Sequence, residues 1–87
     1  MVNSKFHLVE LSNGRFSLEL GGMSTDEFRN IVLKEFGGNV HLPPIIVSEI
    51  TINGQDFTVA REFNEMYVVS RTTEGDEILR EIFRSLE

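Results

Sequence analysis

Only two side chains, His7 and His41, have an ordinary pKa suited to acid–base work near neutral pH. A nucleophilic serine or threonine needs such a base held beside it. His7 stands in an alternating segment with no catalytic neighbour in sequence, and His41 precedes Pro43-Pro44 in what reads as a stiff connector. Both are read as structural or solvent-facing. A small enzyme would need a pocket joining one of them to a carboxylate, and the spacing suggests none, so the chain is expected not to be an enzyme. The carboxylate pairs Asp26-Glu27 and Asp76-Glu77 could in principle serve acid–base chemistry or magnesium. Each opens a segment of helical periodicity, however, where capping and the helix dipole account for acidic residues. HExxH, Cys/His clusters and an alternating Asp/Asn calcium loop are absent from the sequence, and Gly21-Gly22 lacks the pattern of a phosphate cradle. No cofactor or metal is expected.

The remaining signal is charge and surface. The 87 residues carry 14 acidic and 8 basic side chains, a formal charge of −6. The excess is concentrated in residues 45–87, where four basic side chains meet nine acidic ones. An acidic balance of this kind repels phosphate backbones and anionic lipid and favours protein partners. The chain has no cysteine, so a disulfide framework is impossible and a reducing, cytoplasmic setting is expected. Residues 1–5 do not lead into an apolar signal segment, and no run approaches the roughly 18 apolar residues of a membrane span. One small domain over residues 1–87 is expected. A chain this short buries roughly 60 to 65% of its unfolded surface, which leaves little material for a deep cleft.

The elements that must position any surface follow from pattern and turn chemistry. Residues 5–11 and 16–20 alternate around Asn13-Gly14, the strongest short hairpin signal. A two-residue loop there sets Leu11 opposite Phe16, Val9 opposite Leu18 and His7 opposite Leu20 on the core side, leaving Phe6, Leu8, Glu10, Ser17 and Glu19 on the other. Ser24 and Glu27 form a capping box that starts a helix over 25–36, with Phe28, Ile31, Val32 and Phe36 as its apolar stripe and Gly37-Gly38 as its stop. Residues 45–52, 57–62 and 66–70 read as a three-stranded meander. A four-residue loop over 53–56 is favoured because it sets Ile52 against Phe57 and Ile50 against Val59, and a turn at Asn64-Glu65 then pairs Phe63 with Met66. Arg61 falls on the core side and is expected to snorkel from an edge, with a buried ion pair as the alternative. Thr73 caps a final helix over 74–86 whose stripe is Ile78, Leu79, Ile82, Phe83 and Leu86, with Asp76–Arg80 and Glu81–Arg84 pairs on its wet face.

The order ββαβββα implies a two-layer α+β domain, a five-stranded antiparallel sheet with two helices on one face. The other face is then spare. By this register it holds Phe6, Leu8, Val47, Tyr67 and Val69 among Glu10, Glu19, Glu49 and Glu62, an apolar centre with an acidic rim. The expected function is binding: an accessory or inhibitor-type module that docks a protein with a basic or apolar surface, or a second copy of itself. Eight residues are the expected contacts: Phe6, Leu8, Glu10, Glu19, Val47, Glu62, Tyr67 and Val69. A charge at Leu8 or Tyr67 should then spare folding. The alternative, a single-stranded nucleic-acid binder, would stack bases on Phe6 and Tyr67 beside Lys5 or Arg71.

Overall fold

In the computed structural model, which describes residues 6–37, 40–41, 48–62 and 64–86, the first hairpin turns on three residues. Strand β1 (His7–Glu10) meets β2 (Phe16–Glu19) across Ser12-Asn13-Gly14. The Leu11 amide donates to the Arg15 carbonyl at 2.7 Å and the Gly14 amide to the Leu11 carbonyl at 2.9 Å. Only Gly14 takes a positive φ, 86°, while Asn13 keeps a negative φ and uses its side chain, Oδ1 accepting from the Arg15 amide at 2.9 Å. This is the three-residue loop in which a left-handed glycine follows a tight turn. It moves the pairing by one residue from the two-residue expectation: Leu8 faces Leu18, Val9 faces Ser17 and Glu10 faces Phe16. Because side chains alternate with period two, the whole first strand is turned over. Phe6 and Leu8 pack against the core, and His7 and Val9 face away from it.

The second turn also differs, with a milder result. Asn53 (φ 53°) and Gly54 (φ 83°) form a two-residue turn between β4 (Ser48–Ile52) and β5 (Gln55–Glu62). Ile52 therefore faces Gln55, and Ile50 faces Phe57. The apolar match at the turn is poorer than with a four-residue loop, but Gln55 is accommodated because its Oε1 accepts from Thr72 Oγ1 at 2.8 Å. The third turn brings Glu62 opposite Glu65 and Arg61 opposite Met66, so β6 (Glu65–Ser70) starts one residue early. Both shifts amount to two residues between partners, which leaves every side chain on its expected face.

All strands pair antiparallel in the order β1-β2-β6-β5-β4-β3. Beyond the five expected strands there is a two-residue edge strand, β3 (Val40–His41), paired with Ile52 and Thr51; His41 thus belongs to the sheet and not to a connector. Helix α1 (Thr25–Phe36) carries the chain from β2 to that far edge. Its capping box is formed as the sequence predicts, with Ser24 Oγ accepting from the Glu27 amide at 3.1 Å and the Ser24 amide donating to Glu27 Oε1 at 3.3 Å. Gly37 (φ 71°) ends it. Helix α2 (Thr73–Ser85) begins one residue earlier than expected, because Thr72 and not Thr73 supplies the cap, accepting from the Gly75 amide at 2.9 Å.

The buried sheet residues Leu18, Leu20, Ile50, Ile52, Phe57, Val59, Met66 and Val68 all belong to one alternation set, and they share a single core with Phe28 and Val32 of α1 and Ile78, Leu79 and Ile82 of α2. Both helices therefore lie on one side of the sheet. Burying a side chain such as Phe57 or Leu79 contributes about 1.5–3 kcal/mol. Where α2 starts it comes so close to the sheet that a Cβ at position 75 would stand 3.2 Å from Phe57 and from Ser70 Cβ, which explains glycine inside a helix. Arg61 is half-buried on the core side and donates to the Met23 carbonyl, its guanidinium serving the turn that leads into α1.

Candidate functional site

Among the described residues no helix packs on the second side of the sheet, which is built from cross-strand rows. One row runs His7, Glu19, Tyr67, Ala60; the next runs Val9, Ser17, Val69, Thr58, Glu49. Glu62 and Glu65 close the third hairpin beside the first row, and Thr51 and Asp56 stand beyond the second. Tyr67, Val69 and Ala60 are half-buried, and Val9 is 36% exposed. The result is a narrow apolar strip, Ala60–Tyr67–Val69, separated from Val9 by the buried Ser17. Five carboxylates surround it among the described residues: Glu19, Glu49, Asp56, Glu62 and Glu65. Against them stands Arg71, which is already paired with Glu49, whose other oxygen accepts from Thr58 Oγ1 at 3.0 Å. Asp56 accepts from Thr51 Oγ1 at 3.1 Å.

Of the eight residues expected to form the contact, Glu19, Glu62, Tyr67 and Val69 do share this face. Phe6, Leu8 and Glu10 do not. The three-residue turn places them on the helix side, where Phe6 and Leu8 pack against the core and Glu10 lies exposed at the edge. Val47 lies outside the described residues. Val9 and His7, assigned by the shorter loop to the core, stand instead on the open face. The signal that could have recovered them is Ser12-Asn13-Gly14 as a whole, since a three-residue loop ending in a left-handed glycine is the next commonest hairpin connection after the two-residue one.

The open face perturbs its own phenol. Desolvation by neighbouring side chains, and then the Glu65, Glu19 and Glu62 carboxylates, hold the Tyr67 hydroxyl above its ordinary 10.0. Tyr67 is the sole tyrosine and tryptophan is absent, so phenolate absorbance reports this group alone. Titration should give a midpoint above 10.0, lowered by Glu65→Gln and by added salt; a midpoint at or below 10.0 would contradict the carboxylate-ringed placement. The folded state holds this proton more tightly than the unfolded state. The associated stability is complete below pH 10.0 and is lost as pH rises through the folded-state value.

A second constellation looks chemical but is buried. Asp76, 5% exposed, accepts from Ser70 Oγ and from the Phe16 amide at 3.1 Å, and its other oxygen lies 3.3 Å from Arg15 Nη1. It is thus not on the wet face of α2; Arg80 pairs with Glu77 at 3.1 Å and stacks over Phe16 at 4.8 Å instead. Serine and carboxylate are in contact, but His7 stands on the opposite face of the sheet, and the group fastens the first hairpin to the start of α2. An open groove of about 300 Å³ lined by Phe6, Leu20, Gly21, Gly22, Met23 and Glu27 offers one carboxylate, which is committed to the capping box. Among the described residues no cluster of three or more His, Asp or Glu could hold a metal ion, and no helix is long and apolar enough to cross a membrane. Compared with protein-family models, curated proteins and solved structures, the chain matches none, and its function must be argued from this surface itself.

Proposed function

We propose that the protein works by contact, docking on its open sheet face a protein partner that presents a basic surface. One observation supports this above all: the Tyr67–Val69 strip lies among Glu19, Glu49, Asp56, Glu62 and Glu65, with Arg71 as the single opposing cation of the described face. An apolar centre with a charged rim is the anatomy of a transient protein interface, and rim charge of one sign steers association toward the opposite sign. A second copy docking by the same face would oppose like charges, which weighs against face-to-face self-association. The single-stranded nucleic-acid alternative loses its paired platform, since Phe6 and Tyr67 belong to opposite sides of the sheet and the carboxylates near Tyr67 repel phosphate.

The test compares two double variants of equal charge. Glu62→Lys/Glu65→Lys reverses the sheet face, and Glu74→Lys/Glu81→Lys reverses the exposed surface of α2. With the wild-type chain immobilised in native lysate, the retained proteins should be basic. Retention should fall about tenfold on the sheet-face variant and persist on the helix variant. Equal loss on both variants, or on neither, overturns the proposal.

A further inference from the structure

Among the described residues, β1 and β3 are the two outer strands of the sheet, and they differ as edges. At the far edge, β3 is two residues long and is followed in sequence by Pro43-Pro44, neither of which carries an N–H. Short strands and prolines are the usual protection of a sheet edge, along with lysines and bulges. At the near edge, β1 has an unbroken register over His7–Glu10, with no proline, lysine or bulge. The bond from the Leu11 amide to the Arg15 carbonyl sets the phase of its hydrogen bonds. Odd-numbered residues of β1 pair inward with β2, so the N–H and C=O of Leu8 and Glu10 point outward.

The side chains at this edge describe what could pair there. On the helix side are half-buried Leu8 and exposed Glu10, under the flank of α2, which packs over β1. On the open side are Val9 and His7, with Glu19 one strand further in. We infer that the partner contributes an extended segment that adds antiparallel to β1 as a further strand, alternating apolar side chains on the helix side with lysine or arginine on the open side. This deepens the contact reading above and rests on it for the basic character of the partner. Charge decides the occupant. A second copy pairing β1 with β1 would bring together two chains of formal charge −6 over only four residues, whereas a basic strand meets Glu19 and the other carboxylates of the face.

In antiparallel addition the residues opposite Leu8 and Glu10 share their side of the sheet, so the apolar residues of the incoming strand make the backbone bonds. The probe is a capped seven-residue peptide alternating valine and lysine, tested beside two versions N-methylated at every valine or at every lysine. Amide exchange and chemical shifts are read on the full chain. The parent and lysine-methylated peptides should slow exchange of the Leu8 and Glu10 amides about tenfold, and the valine-methylated peptide should bind at least tenfold more weakly. Equal binding of the two methylated peptides overturns the inference. Shifts confined to Glu19, Glu62, Tyr67 and Val69 without slowed exchange at Leu8 overturn the edge while leaving the face reading intact. No response to any peptide overturns both. Protection of Leu8 in the chain alone, accompanied by a dimer mass in light scattering, assigns the edge to self-pairing and also overturns it.

Discussion

Replacing Asp76 by alanine lowers the stability of the domain by about 3 kcal/mol. That is a large part of the roughly 4–13 kcal/mol expected for a chain of this length. The carboxylate is 7% exposed and is shared by three donors from two distant parts of the chain: the Ser70 hydroxyl at the end of β6, and the Phe16 amide and Arg15 guanidinium of the first hairpin. Removing it leaves the Phe16 amide with Ser70 Oγ alone, at 3.3 Å, and Arg15 with Thr73 Oγ1 at 3.4 Å. A negative charge in the first turn of α2 is lost as well. Asp76→Asn keeps an acceptor for the Phe16 amide and should cost about half as much. Arg15→Ala leaves the carboxylate its two other donors and should cost about 1 kcal/mol. Urea unfolding with an unchanged m-value measures all three. A midpoint for Asp76→Ala within 0.5 kcal/mol of the wild type would show that the three donors are satisfied some other way.

Asp76 also marks the limit of what local pattern reveals. In sequence it is one acid among Glu74, Asp76 and Glu77 at a helix start, and nothing local distinguishes the buried one. Its partners Arg15 and Phe16 stand in the first hairpin and reach it only after the sheet has closed. The helices, by contrast, were legible because their signals are local. Ser24, Glu27 and Gly37 define α1 without reference to anything else, and Thr72 and Thr73 differ by one position as caps for α2. The five main strands and the two-layer packing also follow from alternation and turn chemistry. Val40–His41 did not, because two residues before a proline pair carry no alternation to read.

The hairpins show why some errors of register matter and others do not. At the second and third turns the expected partner shifts by two residues, and Ile50, Phe57, Val59 and Val68 remain on the core side. At the first turn it shifts by one. Strand β2 could not have been misassigned, since Phe16, Leu18 and Leu20 alternate with Ser17 and Glu19. Strand β1 could be, because Phe6 and Leu8 compete with Val9 and Leu11 as equally apolar sets. Hydrophobic pattern leaves its phase undecided, so loop length decides it, and the Asn13 side chain bonded to the Arg15 amide sets that length at three. Half of the expected contact residues changed sides on this one turn or lay beyond the described residues.

A pair of aspartates reads that phase directly. Leu8→Asp should destabilise the domain by about 2 kcal/mol, because Leu8 faces the fully buried Leu18 and packs against the core beneath the helices. Val9→Asp should cost about 0.5 kcal/mol or less, since Val9 faces Ser17 on the uncovered side and is already 36% exposed. A two-residue turn at Asn13-Gly14 reverses the order, with Val9 against Leu18 and Leu8 in solvent. Both substitutions introduce the same residue at adjacent positions of the same four-residue edge strand, so the difference between them reports mainly which face each position occupies. Urea midpoints for the two variants that fall in the opposite order, or that coincide, would return Phe6 and Leu8 to the open face and remove Val9 from it. The outward amides of Leu8 and Glu10 depend on this phase, whereas the acidic face, carried by β2, β4, β5 and β6, does not, so this measurement precedes the peptide test of the edge.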